Sequence, residues 1–392
     1  MFIELLERHI TWGILHIYLP DGSQQRFGQS GLEAHWHIHE QSTMRRIARD
    51  WEFELGETYM QGGWEAGEGG LRNLLAVLRR NFSAPRHNPW LRMAGKALQE
   101  WNRIRRSYSN VSHHYDAPEA VFRRFLDKEM FYSCAYFAED DHTLEQAQQA
   151  KAAHIARKLL LKPGHKILDI GCGWGSLAFH LARHHDCEVT GITLSNGQLT
   201  TAERERQARI AAGIPGTDKV HFKLADYREH QGRYDRVVSV GMFEHVGRPY
   251  YDTFFERVRE LLAPDGVALI HTIGRTSPPG TTNPWIRRYI FPGGSIPALS
   301  EMSASIERSN LLLTDMEVLR LHYAQTLQHW LARFTQHREA ITTEMGEAFC
   351  RMWEFYLAAC ENAFRHSDLV VFQAQLAQGH GRVPITRGYL YR

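Results

Sequence analysis

Three glycines at alternate positions, Gly171, Gly173 and Gly175, follow the apolar run Ile167-Leu168-Asp169-Ile170 and precede Leu177-Ala178-Phe179-His180-Leu181-Ala182. The pattern reads as a strand turning sharply into a helix. Such a turn is a ligand seat, because glycine allows backbone angles that a side chain forbids and lets a ligand approach the main chain at a helix N-terminus. Asp169 at the strand end can orient the loop or take a ligand's amino group. Further along stand hydroxyls and an amide in Thr193-Leu194-Ser195 with Gln198, a carboxylate able to accept from an amino group in Ala225-Asp226-Tyr227, an acid at Glu244 and a histidine at His271. Acids and histidines are the residue types of proton transfer.

The elements that must position them alternate. Strands are expected at Lys166 to Asp169, Glu188 to Thr193, Val220 to Leu224, Asp235 to Val240 and Gly266 to Ile273, with helices at Ser176 to His184, Ser195 to Ala212 and Tyr251 to Leu262. This βαβ alternation predicts an α/β, Rossmann-like parallel sheet with helices on both faces, and ligands then sit at the strand C-terminal ends. Each candidate falls at such an end. Helical insertions at Pro284 to Asn310 and Ala324 to His366 follow, with late strands at Thr314 to Leu321 and Asp368 to Leu376. Upstream, strands near Gly13 to Leu19 and His35 to His39, and helices near Thr43 to Arg49 and Gly70 to Asn81, suggest a smaller α+β domain. The division expected is 1–108 and 109–392.

Ordinary readings stand beside each functional one. Ser195 suits a helix N-cap, Glu244 a helix-start carboxylate, His271 a satisfied core histidine and Tyr323 a packing residue. The aromatic stretch Phe131-Tyr132-Ser133-Cys134-Ala135-Tyr136-Phe137 suits simple core packing, cysteine being among the most buried residue types.

The 392 residues, 43% apolar, are enough for a large core; the net charge of +2 from mixed charges carries no nucleic-acid signal. Five widely spaced cysteines without C-x-x-C fit a reducing cytoplasm, and the 23 histidines show no metal-ligand spacing, so no metal is expected. The early segment Phe2 to Leu19 is broken by Glu4, Glu7, Arg8 and His9, too polar for a signal core or a spanning helix. Between Arg79 and Arg106 basic side chains interleave with Phe82, Trp90 and Trp101. That mixture suits anionic lipid headgroups, nucleic acid or a solvated amphipathic helix.

A dinucleotide loop has G-x-G-x-x-G and an acid about 20 residues on. Here the pattern is G-x-G-x-G with Gly191-Ile192-Thr193 at that distance, and the loop resembles that of S-adenosylmethionine methyltransferases. Several further motifs make the resemblance specific: Tyr132-Ser133-Cys134-Ala135-Tyr136-Phe137, Phe243-Glu244-His245-Val246-Gly247, His271-Thr272-Ile273-Gly274, Phe291-Pro292-Gly293-Gly294 and His322-Tyr323-Ala324. Together with the glycine loop and Thr193-Leu194-Ser195, they resemble those of the cyclopropane-fatty-acyl-phospholipid synthases and the related mycolic acid cyclopropane synthases. Gly56-Glu57-Thr58-Tyr59-Met60 with Gly63-Trp64 resembles the family's N-terminal domain.

The resemblance implies methylene transfer from S-adenosylmethionine across a cis double bond of a phospholipid acyl chain, through a carbocation deprotonated by bound bicarbonate. The ligands of that bicarbonate would be Cys134, Glu244, His271, Ile273 through its backbone, and Tyr323. S-adenosylmethionine would meet Tyr132, Ser133, Asp169, Gly171, Gly173, Gly175, Thr193, Leu194, Gln198, Asp226 and Tyr227. Relatives carry Trp-Glu where Tyr227-Arg228 stands, so Asp226 is expected to take the adenine contact. Tyr136, Phe137, Trp174 and Phe243 are candidates to shield the cation. A lipid C-methyltransferase running through the same cation is the alternative. The expected partner is membrane phospholipid with unsaturated chains, met peripherally from the cytoplasm by the N-terminal domain and the basic stretch, the insertions after His271 and Tyr323 walling an acyl tunnel. No nucleic acid is expected. The resemblance adds a homodimer, on which the residues are silent.

Overall fold

The computed structural model describes residues 2–82 and 118–391, which form two compact units. The 108/109 boundary, and the basic stretch beyond Phe82, lie outside the described residues.

The first unit gathers residues 2–82, Thr282–Ile290 and Ala324–Leu369. Its sheet holds β1 (Ile14–Tyr18), β2 (Gln24–Phe27), β3 (Glu33–Ile38) and β4 (Trp64–Ala66) in the order β2-β1-β3-β4, with β1 and β3 parallel. Alternate residues Leu15, Ile17, Ala34, Trp36 and Ile38 are buried, so one face makes the core. Trp64 closes that core, its indole N–H donating to Leu55 O and Thr58 Oγ1, each at 3.1 Å. The helix Trp51–Met60 brings the Gly56 motif against Trp285 and Phe355; a Cβ on Gly56 would stand 2.7 Å from Trp285 Nε1. Only a bare backbone allows that approach. Glu57 accepts from Tyr289 Oη at 2.6 Å, and Arg72 grips the buried Glu361 through two hydrogen bonds of 2.6 and 2.7 Å.

The second insertion is three helices, His322–Gln336, Arg338–Met345 and Glu347–His366. The first resolves into Pro284–Tyr289 and Leu299–Arg308, separated by the Phe291-Pro292-Gly293-Gly294 loop. Pro284–Tyr289 and the residues from Ala324 group with the N-terminal unit.

The second unit holds β5 (Lys166–Ile170), β6 (Glu188–Thr193), β7 (Val220–Leu224), β8 (Tyr234–Val240), β9 (Leu262–Arg275), β10 (Leu312–Leu319) and β11 (Leu369–Ala377), ordered β10-β11-β9-β8-β5-β6-β7. β5 to β9 run parallel and β10 pairs antiparallel with β11. Successive residues feed opposite layers. Leu168, Ile170, Val237, Ala268 and Ile270 pack under the helices Tyr251–Leu261 and Leu299–Arg308, whereas Ile167, Val189, Val238 and Leu269 pack under Leu144–Lys158 and Ser176–His185. β9 starts four residues before the expected Gly266, because Leu262 already pairs with Tyr234 ahead of a register shift.

Candidate active site

A cavity in the second unit opens at the C-terminal ends of β5, β6 and β8, where the strand order reverses between β5 and β8. That switch point is where open α/β sheets bind ligands. Its floor is the glycine turn, whose amides of Gly171 and Cys172 both donate to Ile192 O at 2.9 and 3.0 Å. The glycines have separate reasons. All three adopt left-handed φ, of 85°, 57° and 89°. A Cβ on Gly171 would lie 2.7 Å from Met242 Cβ, and one on Gly175 would lie 2.4 Å from Phe222 Cζ. Gly171 and Gly173 both line the cavity, and at Gly173 a Cβ would meet nothing within 4 Å, so there the space beside the main chain is open. Gly175 is an N-cap packed on aromatic rings and is not on the cavity wall.

Asp169 is 1% exposed and lines the cavity, yet neither of its carboxylate oxygens has a hydrogen-bond partner among the described residues. Burial pushes its pKa up to about 7, against the pull of Lys151. A buried acceptor left unmade costs about 1–3 kcal/mol. A ligand carrying an amino group removes that cost. Thr193 Oγ1 donates to Gln198 Oε1 at 2.7 Å and accepts from the Ser195 amide at 3.2 Å, while Ser195 caps its helix by accepting from the Gln198 amide at 3.2 Å. Thr193, Leu194, Gln198, Tyr132, Ser133 and Tyr227 all reach the wall.

Asp226 does not. Its carboxylate is clamped by Arg228, which donates from its amide and Nε at 2.9 Å each and from Nη2 at 2.6 Å. Ala225, Tyr227 and Arg228 line the cavity in its place. Arg228 thus brings a cation to the wall and supplies a partner for Asp226.

Sequence reasoning missed Lys151 and Gln148. Gln148 Nε2 donates to Phe131 O at 3.3 Å and Ser133 O at 3.0 Å; Lys151 Nζ donates to Ser133 Oγ at 2.8 Å and sits 3.9 Å above the Phe131 ring. Asp127 accepts from the amides of Phe131 and Glu129 at 2.9 and 3.0 Å, which pins the other side of the loop. Burial lowers the Lys151 pKa, partly offset by Asp127, Cys134 and Asp169. A signal existed: Leu144, Ala147, Gln148, Lys151, Ala152 and Ile155 occupy one buried helical stripe, and two of those positions are polar.

The expected base-site residues Cys134, Glu244, His271, Ile273 and Tyr323 are absent from the wall of this cavity, although Met242, His245 and Val246 around Glu244 line it. Glu244 Oε1 accepts from the Ile273 amide at 2.5 Å, and Oε2, also buried, has no partner among the described residues. Burial pushes this carboxyl up to about 7, opposed by its own amide, that of Ile273 and the Thr272 hydroxyl. His271 faces Gln373 across β9 and β11, Nδ1 to Nε2 at 3.0 Å. Burial, then the charges of Lys151, Lys158 and His154, hold it down to about 3, so its imidazole is neutral at pH 7. His271 and Ile273 lie two apart on β9 and share a face. Cys134 is 1% exposed with Sγ toward Ala135 O at 3.3 Å, and Tyr323 is 8% exposed in the first turn of His322–Gln336. Among the candidate shielding rings, Trp174 lines the cavity, whereas Phe243 is fully buried against Tyr251, 4.5 Å between centroids. Tyr136 stacks on His154 and His322 at 4.4 and 4.9 Å, and the Phe137 amide donates to His322 Nδ1.

The sequence matches the family described as mycolic acid cyclopropane synthetase over residues 102–374. It is 39% identical over 338 residues to a cyclopropane-fatty-acyl-phospholipid synthase of Escherichia coli strain K12, spanning 86% of this chain and 85% of that one. A probable fatty acid methyltransferase of Pseudomonas putida is 44% identical over 294 residues, 72% of this chain and 73% of its own. The mycolic acid cyclopropane synthase CmaA1, crystallised with SAH and CTAB, superposes with a TM-score of 0.63 at 33% identity, covering 69% of this chain and 97% of CmaA1. With the cavity at the switch point and the unsatisfied acid above the glycine turn, these likenesses establish that the chain belongs to the mycolic acid cyclopropane synthetase family, enzymes built on the S-adenosylmethionine methyltransferase fold.

Proposed function

We propose that this enzyme transfers a methylene group from S-adenosylmethionine across the cis double bond of an unsaturated acyl chain in a membrane phospholipid. The alkene takes the sulfonium methyl as the S–C bond breaks, and loss of a proton from that new methyl lets the carbocation close to a ring. The observation that carries the reading is Glu244: a buried carboxyl with one oxygen anchored on the Ile273 amide and the other unpartnered, beside strand ends that line the cavity.

The chain's own residues divide the work. Asp169 receives the donor's amino group, the bare Gly173 lets it approach the main chain, and Thr193 and Gln198 present hydroxyl and amide. Trp174 and Tyr132 on the wall keep water from the cation. Glu244 Oε2 is an acceptor awaiting a donor, and neutral His271, Cys134 and Tyr323 supply an N–H, an S–H and an O–H. That set fits a small oxyanion bearing one hydroxyl, hydrogen carbonate, with the Ile273 amide already committed to Glu244. When bound, hydrogen carbonate supplies the base for the methyl proton. Glu244 holds its hydroxyl and His271 its oxygen.

No helix among the described residues is long and apolar enough to cross a membrane. The contact we propose is peripheral, from the cytoplasmic face. A second reading, C-methylation with loss of a different proton, is favoured by the name of the Pseudomonas putida relative. Proton NMR of phospholipid from a host making monounsaturated chains, with and without the enzyme, separates the two. Upfield cyclopropyl signals replacing olefinic ones are expected. New methyl or methylene signals support the second reading, and unchanged olefins overturn both.

A further inference from the structure

We infer that His16, Glu33 and His35, on the open face of the N-terminal sheet, form a binding site for one zinc-class divalent cation. The site is separate from the cavity and independent of the reaction proposed above. His16 on β1 and His35 on β3 are direct neighbours in the parallel register, and Glu33, two residues before His35, points to the same face. One ligand atom from each lies within 4.8 Å of the others. The imidazoles are half-buried and Glu33 is exposed, so the site is walled by the sheet and open to a cation from solvent.

The second observation is how His35 is held. Its Nδ1 lies 3.0 Å from Tyr18 Oη, which leaves Nε2 for a metal. A ligating histidine fixed through its other nitrogen is the recurrent arrangement of metal sites. Tyr18 is itself held, its ring stacked on His37 at 4.2 Å and 2°. Gly67 closes the stack, since a Cβ there would stand 2.6 Å from His37 Nε2 and 2.9 Å from His35 Cβ.

The rings of His16 and His35 lie parallel, 4.6 Å apart. The terminal torsion of histidine is broad, so His16 can turn from stacking to chelation at little cost while His35 keeps its bond to Tyr18. Two imidazoles and one carboxylate with a position left for water suit zinc and its cobalt surrogate, and suit magnesium or calcium poorly, since those want oxygen. The bound cation would clip β1 to β3, the central pair of this sheet.

The test uses the full chain, stripped with chelator, then titrated with zinc followed by calorimetry and with cobalt followed by its visible absorption. One equivalent should bind with a cobalt spectrum of mixed nitrogen and oxygen ligation, and the melting temperature should rise with zinc. His16→Ala and His35→Ala should each weaken binding about tenfold or more, as removal of a ligand or its partner does. His184→Ala, in the separate histidine run of the other unit, should leave it unchanged. Glu33→Gln, at an exposed position that keeps its shape, guards against a folding failure of the histidine variants and should also weaken binding. Absence of a stoichiometric equivalent, or an equivalent that survives both His35→Ala and Glu33→Gln, overturns the assignment.

Discussion

Asp169 stands one residue before the end of β5 and Glu244 follows β8, the two strands either side of the switch point, and burial pushes both carboxyls up to about 7. They differ in what the fold gives them. Asp169 stands on the cavity wall with neither oxygen satisfied, whereas Glu244 is off that wall with one oxygen tied to a backbone amide. A carboxyl left wholly unpaired at a cavity can receive a ligand; one half-anchored on a backbone amide can hold a proton in a fixed place. Similar pKa values thus arise from the same burial in two different settings.

The largest expected difference is in turnover. Glu244→Gln keeps the shape and removes the acid; product formation by NMR should fall by about 10²–10⁴-fold while S-adenosylmethionine affinity by calorimetry stays within a few-fold. Retained turnover would erase the distinction. Asp169→Asn should do the reverse in binding, weakening the cofactor about 10- to 100-fold, since a charged hydrogen bond is worth about 1.5–3 kcal/mol. Within the glycine turn, Gly175→Ala should lower stability by about 1–3 kcal/mol through the clash with Phe222, whereas Gly173→Ala should spare the melting temperature more and bind cofactor less well.

The smallest effect is on pH dependence. Asp169 has a folded pKa above the ordinary aspartate value of 3.8, so it contributes stability in full at acid pH, and that stability is lost as pH rises to about 7. Buried His271 slopes the other way, being penalised as pH falls below 6.5. The difference between wild type and Asp169→Asn cancels the histidine: the variant of the ligand-free enzyme should gain on the wild type as pH climbs from about 4 to 7. A flat difference would mean that the carboxyl finds a partner in solution.

The parallel sheet was legible because its inner strands, such as β5 and β6, are buried on both faces after their first residue, while the edge strand β7 opens with a buried–exposed alternation; β6 and β7 match the expected bounds residue for residue. The N-terminal sheet was half legible. β2 is Gln-Gln-Arg-Phe on an exposed edge and β4 is three residues long, so neither carries an alternation to read. The helix Trp51–Met60 hides behind a glycine and aromatics whose reason is the approach of Trp285 and Phe355, far away in sequence. At the site, strand-end residues followed from the fold rule, but the Arg228 clamp on Asp226 and the reach of Lys151 did not. Both depend on where long side chains turn, which neither spacing nor residue type records.

The grip of Arg72 on Glu361 joins residues 289 apart. During synthesis at about 5–20 residues per second, Arg72 leaves the ribosome roughly 15 to 60 s before its partner exists. The first strands and helices of the N-terminal unit therefore wait, with the apolar surface later covered by Glu347–His366 exposed to solvent. Such a delay makes the nascent chain a client for chaperones and makes late translation, rather than early collapse, the step that completes this unit.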